Sequence, residues 1–142
     1  MQNFYYDIPT KVYFGEGQIK HLPALVSQYG KRVLLVYGGG SVKRSGLYDT
    51  IKSLLEDAGI TSWDLAGVEP NPRLGTVCRG VELCHKNAVD VIIPIGGGST
   101  IDCAKAVADS FRFDKLVLAG VTYDGGLMPC MEDFIYHLKM KN

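Results

Sequence analysis

Val91-Ile92-Ile93-Pro94-Ile95-Gly96-Gly97-Gly98-Ser99-Thr100-Ile101-Asp102 is the stretch that decides the fold. Its first half is an unbroken apolar run of strand length, the pattern of a strand covered on both faces. Three glycines then lead into residues 101–109, where apolar positions return at helical spacing. Glycine leaves no Cβ between the backbone and a ligand, so peptide N–H groups can approach phosphate oxygens, and a helix that starts there adds the positive end of its dipole. Ser99 is expected to cap that helix, with Asp102 three residues on completing a capping-box-like S-x-x-D arrangement. The stretch reads as a cradle for a diphosphate. The plainer alternative is a tight turn with no ligand, for which a single glycine would be enough.

Outward from this stretch the same order recurs. Residues 32–37 form a second apolar strand ending in Gly38-Gly39-Gly40, Ser45 is placed to cap the next helix, and Leu47, Ile51, Leu54 and Leu55 make its stripe before Gly59. Residues 60–66 read as another strand, Glu69-Pro70-Asn71-Pro72 as a rigid turn and residues 74–87 as a third helix. Near the amino terminus, aromatic and β-branched residues at 4–14 around Pro9 suggest a short β-ribbon. Ile19, Leu22, Leu25 and Val26 then suggest a helix ending at Gly30. Alternating strands and helices with short connections predict an α/β fold with a doubly wound parallel sheet. Residues 1–108 form the expected domain and 109–142 a divergent tail. In that tail residues 115–121 read as a strand or a displaced loop, and Met131, Phe134, Ile135 and Leu138 as a short helix.

The second glycine loop narrows the ligand. Tyr37-Gly38-Gly39-Gly40-Ser41-Val42-Lys43-Arg44 leaves its strand at the same carboxyl end as the first loop, where open α/β sheets bind ligands, and two such loops can hold the two ends of a dinucleotide. No acidic residue between Tyr37 and Arg44 is available to grip a ribose 2′-hydroxyl, whereas Ser41, Lys43 and Arg44 can meet a 2′-phosphate. The balance points to NADP over NAD. Adjacent basic residues are also commonly a solvated pair. Neither loop is the G-x-G-x-x-G fingerprint.

Composition sets outer bounds. The 142 residues, 46% of them apolar, are enough for one core, and 15 Lys and Arg against 15 Asp and Glu give no overall field toward nucleic acid or an anionic membrane. No leader or membrane span is expected. Cys78, Cys84, Cys103 and Cys130 lack zinc or redox spacing, which fits reduced thiols in a cytoplasmic protein. Cys84 and His85 are neighbours and so point about 100° apart on a helix, which argues against a shared metal.

Together with Pro9-Thr10-Lys11-Val12-Tyr13-Phe14-Gly15-Glu16-Gly17, the segments Tyr37–Lys43, Pro70-Asn71-Pro72 and Gly96–Ser99 with Asp102 and Lys105 closely resemble the iron-containing (group III) alcohol dehydrogenases. The likeness is to the amino-terminal domain of the NADPH-dependent butanol dehydrogenase and aldehyde reductase branch, over about residues 4–108. It implies a Rossmann-like, dehydroquinate synthase-like nucleotide-binding domain in which Gly97, Gly98 and Ser99 line the pyrophosphate site and Asn71 lies near the cofactor. It also implies that Gly38 stands where NAD-preferring relatives carry aspartate. The candidate cofactor-binding set is therefore Gly38, Gly39, Gly40, Ser41, Lys43, Asn71, Gly96, Gly97, Gly98, Ser99 and Asp102.

The family moves a hydride between a nicotinamide dinucleotide and a small alcohol or aldehyde, helped by a divalent metal, iron or zinc. One aspartate and three histidines of a helical second domain hold that metal. His21, His85 and His137 match none of these, so no catalytic or metal-binding residue is assigned, and the chain alone is expected to be inactive. The family also suggests a homodimer. The likeness breaks at Asp109: residues 109–118 intervene before Ala119–Gly125, and Leu127-Met128-Pro129-Cys130 replaces the usual continuation. Two alternatives stand beside this reading, a glycerol dehydrogenase or dehydroquinate synthase-like domain and a catalytically silent nucleotide-binding or dimerisation module.

Overall fold

Val33-Leu34-Leu35-Val36 and Val91-Ile92-Ile93, the two runs without a polar interruption, lie side by side at the centre of a parallel sheet. The computed structural model describes residues 10–111 and the backbone of residues 119–120. Strand β1 (Arg32–Tyr37) pairs with β3 (Val91–Gly96) so that Val33 faces Val91 and Tyr37 faces Ile95. On the other side of β1 runs β2 (Thr61–Leu65), with Val36 opposite Leu65. A two-residue strand, β4 (Ala119–Gly120), pairs with β3 at Ile95 and Gly96. The order is β2-β1-β3-β4, all parallel.

Helices cover both faces, which is why β1 and β3 need no polar side. Alternate residues Val33, Leu35 and Tyr37 of β1, and Val91, Ile93 and Ile95 of β3, pack against Leu22 and Val26 of α1 (Leu22–Val26), Val42 of α2 (Ser41–Arg44), and Ile51 and Leu55 of α3 (Leu47–Asp57). The intervening Leu34, Val36 and Ile92 meet Cys84 of α4 (Leu74–Asn87), and Cys103, Ala104 and Val107 of α5 (Gly98–Phe111). Gly80 lets α4 approach closely: a Cβ there would lie 2.6 Å from Val107 and 2.9 Å from Leu65. At the other end of the strands Asp90 ties the chain across β1. Its Oδ1 accepts from Arg32 Nη2 at 2.7 Å, and its Oδ2 from Arg32 Nε and the backbone N–H groups of Lys31 and Arg32.

The doubly wound parallel sheet expected from the sequence is present, and α4 occupies the expected 74–87. Three local expectations change. The helix over 19–26 is divided into a 3-10 turn at Gln18–His21 and the short α1, with Pro23 in the first turn of α1, where its missing N–H costs nothing. Ser45 does not cap α3. Its hydroxyl donates back to the Val42 carbonyl at 3.0 Å, and Gly46, at φ +75°, takes the cap position. Thr10–Phe14 pairs with no strand among the described residues; the rest of the expected ribbon, and the expected helix near residues 131–138, lie outside them.

Candidate functional site

The strand order fixes where a ligand can enter. From β1 the chain steps outward to β2 and then returns past β1 to β3, so the connections leaving β1 and β3 depart in opposite directions and open a crevice between them. In open α/β sheets this reversal, at the carboxyl ends of the strands, is the ligand-binding position. Both glycine loops lie there. A cavity of about 570 Å³ is lined by Gly39 from the β1 loop, Gly97, Gly98, Ser99 and Thr100 at the start of α5, and Gly67, Val68, Glu69 and Pro70 from the β2 loop. It is a wide groove, largely open to solvent.

Helix α5 begins two residues earlier than a Ser99 cap requires. Thr100 and Ile101 both donate their N–H to the Gly97 carbonyl, so Gly97 precedes the helix and Ser99 lies in its first turn. The predicted S-x-x-D capping box is therefore not formed; Asp102 is exposed and outside the cavity. The Ser99 hydroxyl instead donates to the Pro70 carbonyl and fastens the β2 loop across the helix start. What Ser99 gives up as a cap it returns as a clamp, and Gly98 and Ser99, whose N–H groups have no partner within the helix, line the cavity.

Two more contacts set the far wall. Gly67 N–H donates to the Gly38 carbonyl and Val68 N–H to the Tyr37 carbonyl, at 3.2 Å each. A Cβ on Gly38 would stand 3.3 Å from the Val68 carbonyl oxygen, so a side chain at position 38 has to push the β2 loop outward. Gly96 adopts φ +145°, a backbone conformation reserved in practice for glycine, with buried Thr100 against it. By contrast, nothing lies within 4 Å of a Cβ built on Gly39 or Gly97. The space in front of these two glycines is open, as a backbone cradle for an anion requires.

Glu69 supplies the charge on the opposite wall. Its own backbone N–H and then the buried Thr76 hydroxyl, 3.0 Å from Oε2, hold its carboxyl below the ordinary glutamate value, so it is ionised at neutral pH. Such a carboxylate accepts hydrogen bonds from sugar hydroxyls. Neither Glu69 nor Gly67, Val68, Pro70 and Thr100 was assigned to the cofactor from the sequence, although Glu69 and Pro70 belong to the turn read there. The Pro70-Asn71-Pro72 turn was the only signal for this wall, and it pointed to Asn71, which is exposed and does not line the cavity.

Of the predicted set, Gly39, Gly97, Gly98 and Ser99 line the cavity together, whereas Gly38, Gly40, Ser41, Lys43, Asn71, Gly96 and Asp102 do not. Gly38 and Gly96 shape it from behind. Lys43 turns away: its Nζ lies 4.8 Å from the ring centre of Tyr48 and 5.5 Å from that of Tyr37, a cation–π arrangement, and Tyr48 in turn donates to Asp64 at 2.9 Å.

A family model described as iron-containing alcohol dehydrogenase matches residues 9–129. The chain belongs to this family. It is 47% identical over 133 residues to NADH-dependent butanol dehydrogenase A of Clostridium acetobutylicum, an alignment covering 94% of this chain and 32% of that protein. It is 37% identical over 115 residues to the NADPH-dependent aldehyde reductase YqhD of Escherichia coli, covering 81% and 29%. The crystal structure of NADH-dependent butanol dehydrogenase A from Thermotoga maritima superposes with a TM-score of 0.71 at 38% identity, covering 81% of this chain and 29% of that one. The chain thus spans about 30% of the length of these members of the iron-containing family.

Among the described residues no three or more His, Cys, Asp and Glu side chains are grouped to hold a metal ion, and no metal is assigned to them. His21 packs on Tyr13 and His85 on Phe111, with ring centres 5.0 and 4.6 Å apart. Cys84 is buried in α4 and its thiol is pushed up to about 12 by desolvation, and burial likewise raises that of Cys103 in α5. Both are packing groups at neutral pH. His137 and Cys130 lie outside the described residues.

Proposed function

We propose that this chain is the cofactor-binding portion of an oxidoreductase that transfers a hydride between NADP(H) and a small alcohol or aldehyde, with help from a divalent metal, iron or zinc, held elsewhere in a full-length protein. The observation that carries this reading is the cavity at the strand-order reversal, where open glycine backbone and a helix start face each other across a crevice. Gly97, Gly98 and the N–H groups of the first turn of α5 receive the pyrophosphate, and Gly39 faces the adenosine half. Glu69 accepts hydrogen bonds from ribose hydroxyls on the opposite wall. Ser99 holds the Glu69–Pro70 backbone in register with the cradle through its bond to Pro70. The nicotinamide, when bound, supplies or accepts the hydride.

The names of the relatives divide between the two cofactors, NADH for the Clostridium acetobutylicum enzyme and NADPH for the Escherichia coli one. Support for NADP in this chain comes from its own β1 loop, which has no acidic residue between Tyr37 and Arg44 and two basic residues at its end. The test is a pair of titrations of the purified chain with NADPH and NADH, followed by nucleotide fluorescence or calorimetry. Saturable binding of both, tighter for NADPH, is expected. Binding of neither removes the cofactor role altogether.

A further inference from the structure

Among the described residues Glu69 is the only charged one that lines the cavity. A glutamate on a turn ordinarily samples several rotamers, and fixing it costs side-chain entropy. Here the fold fixes it from beneath. Thr76, in the first turn of α4, is only 4% exposed, and its hydroxyl donates to Glu69 Oε2 at 3.0 Å. A threonine hydroxyl within a helix commonly bonds back to a carbonyl of the preceding turn. That of Thr76 instead leaves α4 to meet a side chain seven residues earlier. The backbone beside Glu69 is fastened separately, through Val68 N–H to the Tyr37 carbonyl and through the Ser99 hydroxyl to the Pro70 carbonyl. Main chain and carboxylate are thus each anchored, and to different elements.

We propose that Thr76, although it does not line the cavity, is a positioning residue for the dinucleotide: by holding Glu69 Oε2 it sets the carboxylate in place to accept from ribose hydroxyls. This rests on the dinucleotide reading of the cavity and on the role given there to Glu69. An ionised carboxylate has about four acceptor sites, so one bond from Thr76 leaves it able to accept from a sugar as well. Arg73 and Arg79 also favour the charged form, after the Glu69 N–H and Thr76. Without the Thr76 hydroxyl the side chain has to be ordered as the ligand binds, and that cost is subtracted from affinity. The plainer alternative is that the pair only secures the start of α4, where Arg73 makes no side-chain cap bond.

The discriminating measurement is a double-mutant cycle on NADPH affinity in the 142-residue chain, by calorimetry, with melting curves to show that each variant is folded. Glu69→Ala is expected to weaken binding by roughly tenfold, the loss of hydrogen bonds to a charged group. Thr76→Val is expected to weaken it by roughly three- to tenfold in the wild-type background, and by less than about twofold in a chain that already carries Glu69→Ala. Thr76→Ser, which keeps the hydroxyl, recovers most of the loss. Inorganic pyrophosphate, a probe without a sugar, separates the wall from the cradle: its affinity is unchanged in Thr76→Val and is kept or raised in Glu69→Ala, which removes a like charge. A Thr76→Val loss that is equal in both backgrounds, that serine does not repair or that pyrophosphate shares overturns the assignment and leaves Thr76 as a support of α4. NADPH affinity unaltered in Glu69→Ala overturns it together with the role of Glu69, while the cradle stands. A wild type that binds neither NADPH nor pyrophosphate overturns the cavity reading as well.

Discussion

The glycines of this chain look alike in sequence and do different work, which makes them the sharpest test at the scale of single residues. Gly80 is a packing glycine, with Val107 and Leu65 within 3 Å of a would-be Cβ. Gly97 has open space in front of it and stands immediately before α5. Gly80→Ala should therefore cost about 1–3 kcal/mol through overpacking between α4, α5 and β2, read as a lower midpoint in denaturant, while the folded fraction still binds nucleotide normally. Gly97→Asp should do the reverse. Aspartate is a favoured cap residue, so stability is kept or slightly raised, but its charge stands where the proposed pyrophosphate would lie, and dinucleotide affinity should fall by roughly tenfold or more. A Gly97→Asp chain that binds NADPH as well as the wild type would show that the cradle is only a turn.

At the scale of elements, the two central strands were legible because burial on both faces leaves a strong mark: Val33–Val36 and Val91–Ile93 carry no polar residue, and their short length, β-branched content and the glycines that follow decide for strand over buried helix. Helix α4 was legible end to end because its stripe is clean and the prolines before Arg73 exclude an earlier start. The helix starts were not legible at Ser45 and Ser99. A serine ahead of an apolar run serves equally well as a cap, a last residue or a first-turn residue, and what decides is the backbone of the neighbouring glycine. The β2 loop was missed for a related reason: Gly67–Pro70 gains its role only from hydrogen bonds to Tyr37 and Gly38 and from the Ser99 clamp, none of which is local in sequence.

The tie at the amino ends of the strands carries a pH signature of its own. Asp90 is held below its ordinary value, first by the Arg32 side chain; burial, the next-largest effect, opposes this, and the N–H groups of Lys31 and Arg32 add to the lowering. An unfolded chain therefore takes up a proton on this residue at a higher pH than the folded one. The stabilisation is complete above the unfolded value near 4 and is lost as the pH falls through the lower folded value. Wild type should melt a few degrees above Asp90→Asn from neutral pH down to about 5, and the gap should close below about 4. A gap that stays constant through that acid range would mean that geometry, not charge, accounts for the contribution of Asp90.

For the whole molecule, the sheet explains both what the chain can do and where it stops. Every feature of the site comes from one end of β1, β2 and β3 and from the start of α5, so a single α/β layer structure is sufficient to form the cradle. Hydride transfer asks for more: a substrate held against the nicotinamide, and a Lewis acid to polarise its oxygen. The cavity is lined by glycines, Val68, Glu69, Pro70, Ser99 and Thr100, and none of these is a proton donor at neutral pH with a tuned value, or part of a metal-ligand group. Binding and turnover should therefore separate in the isolated chain. Incubated with NADPH, a short-chain aldehyde and iron(II) or zinc(II), it should bind the nucleotide and show no oxidation of it above the rate without protein. Metal-dependent consumption of NADPH with matching formation of alcohol would show that residues outside 10–111 complete a catalytic centre, and would withdraw the division of labour argued from the cavity.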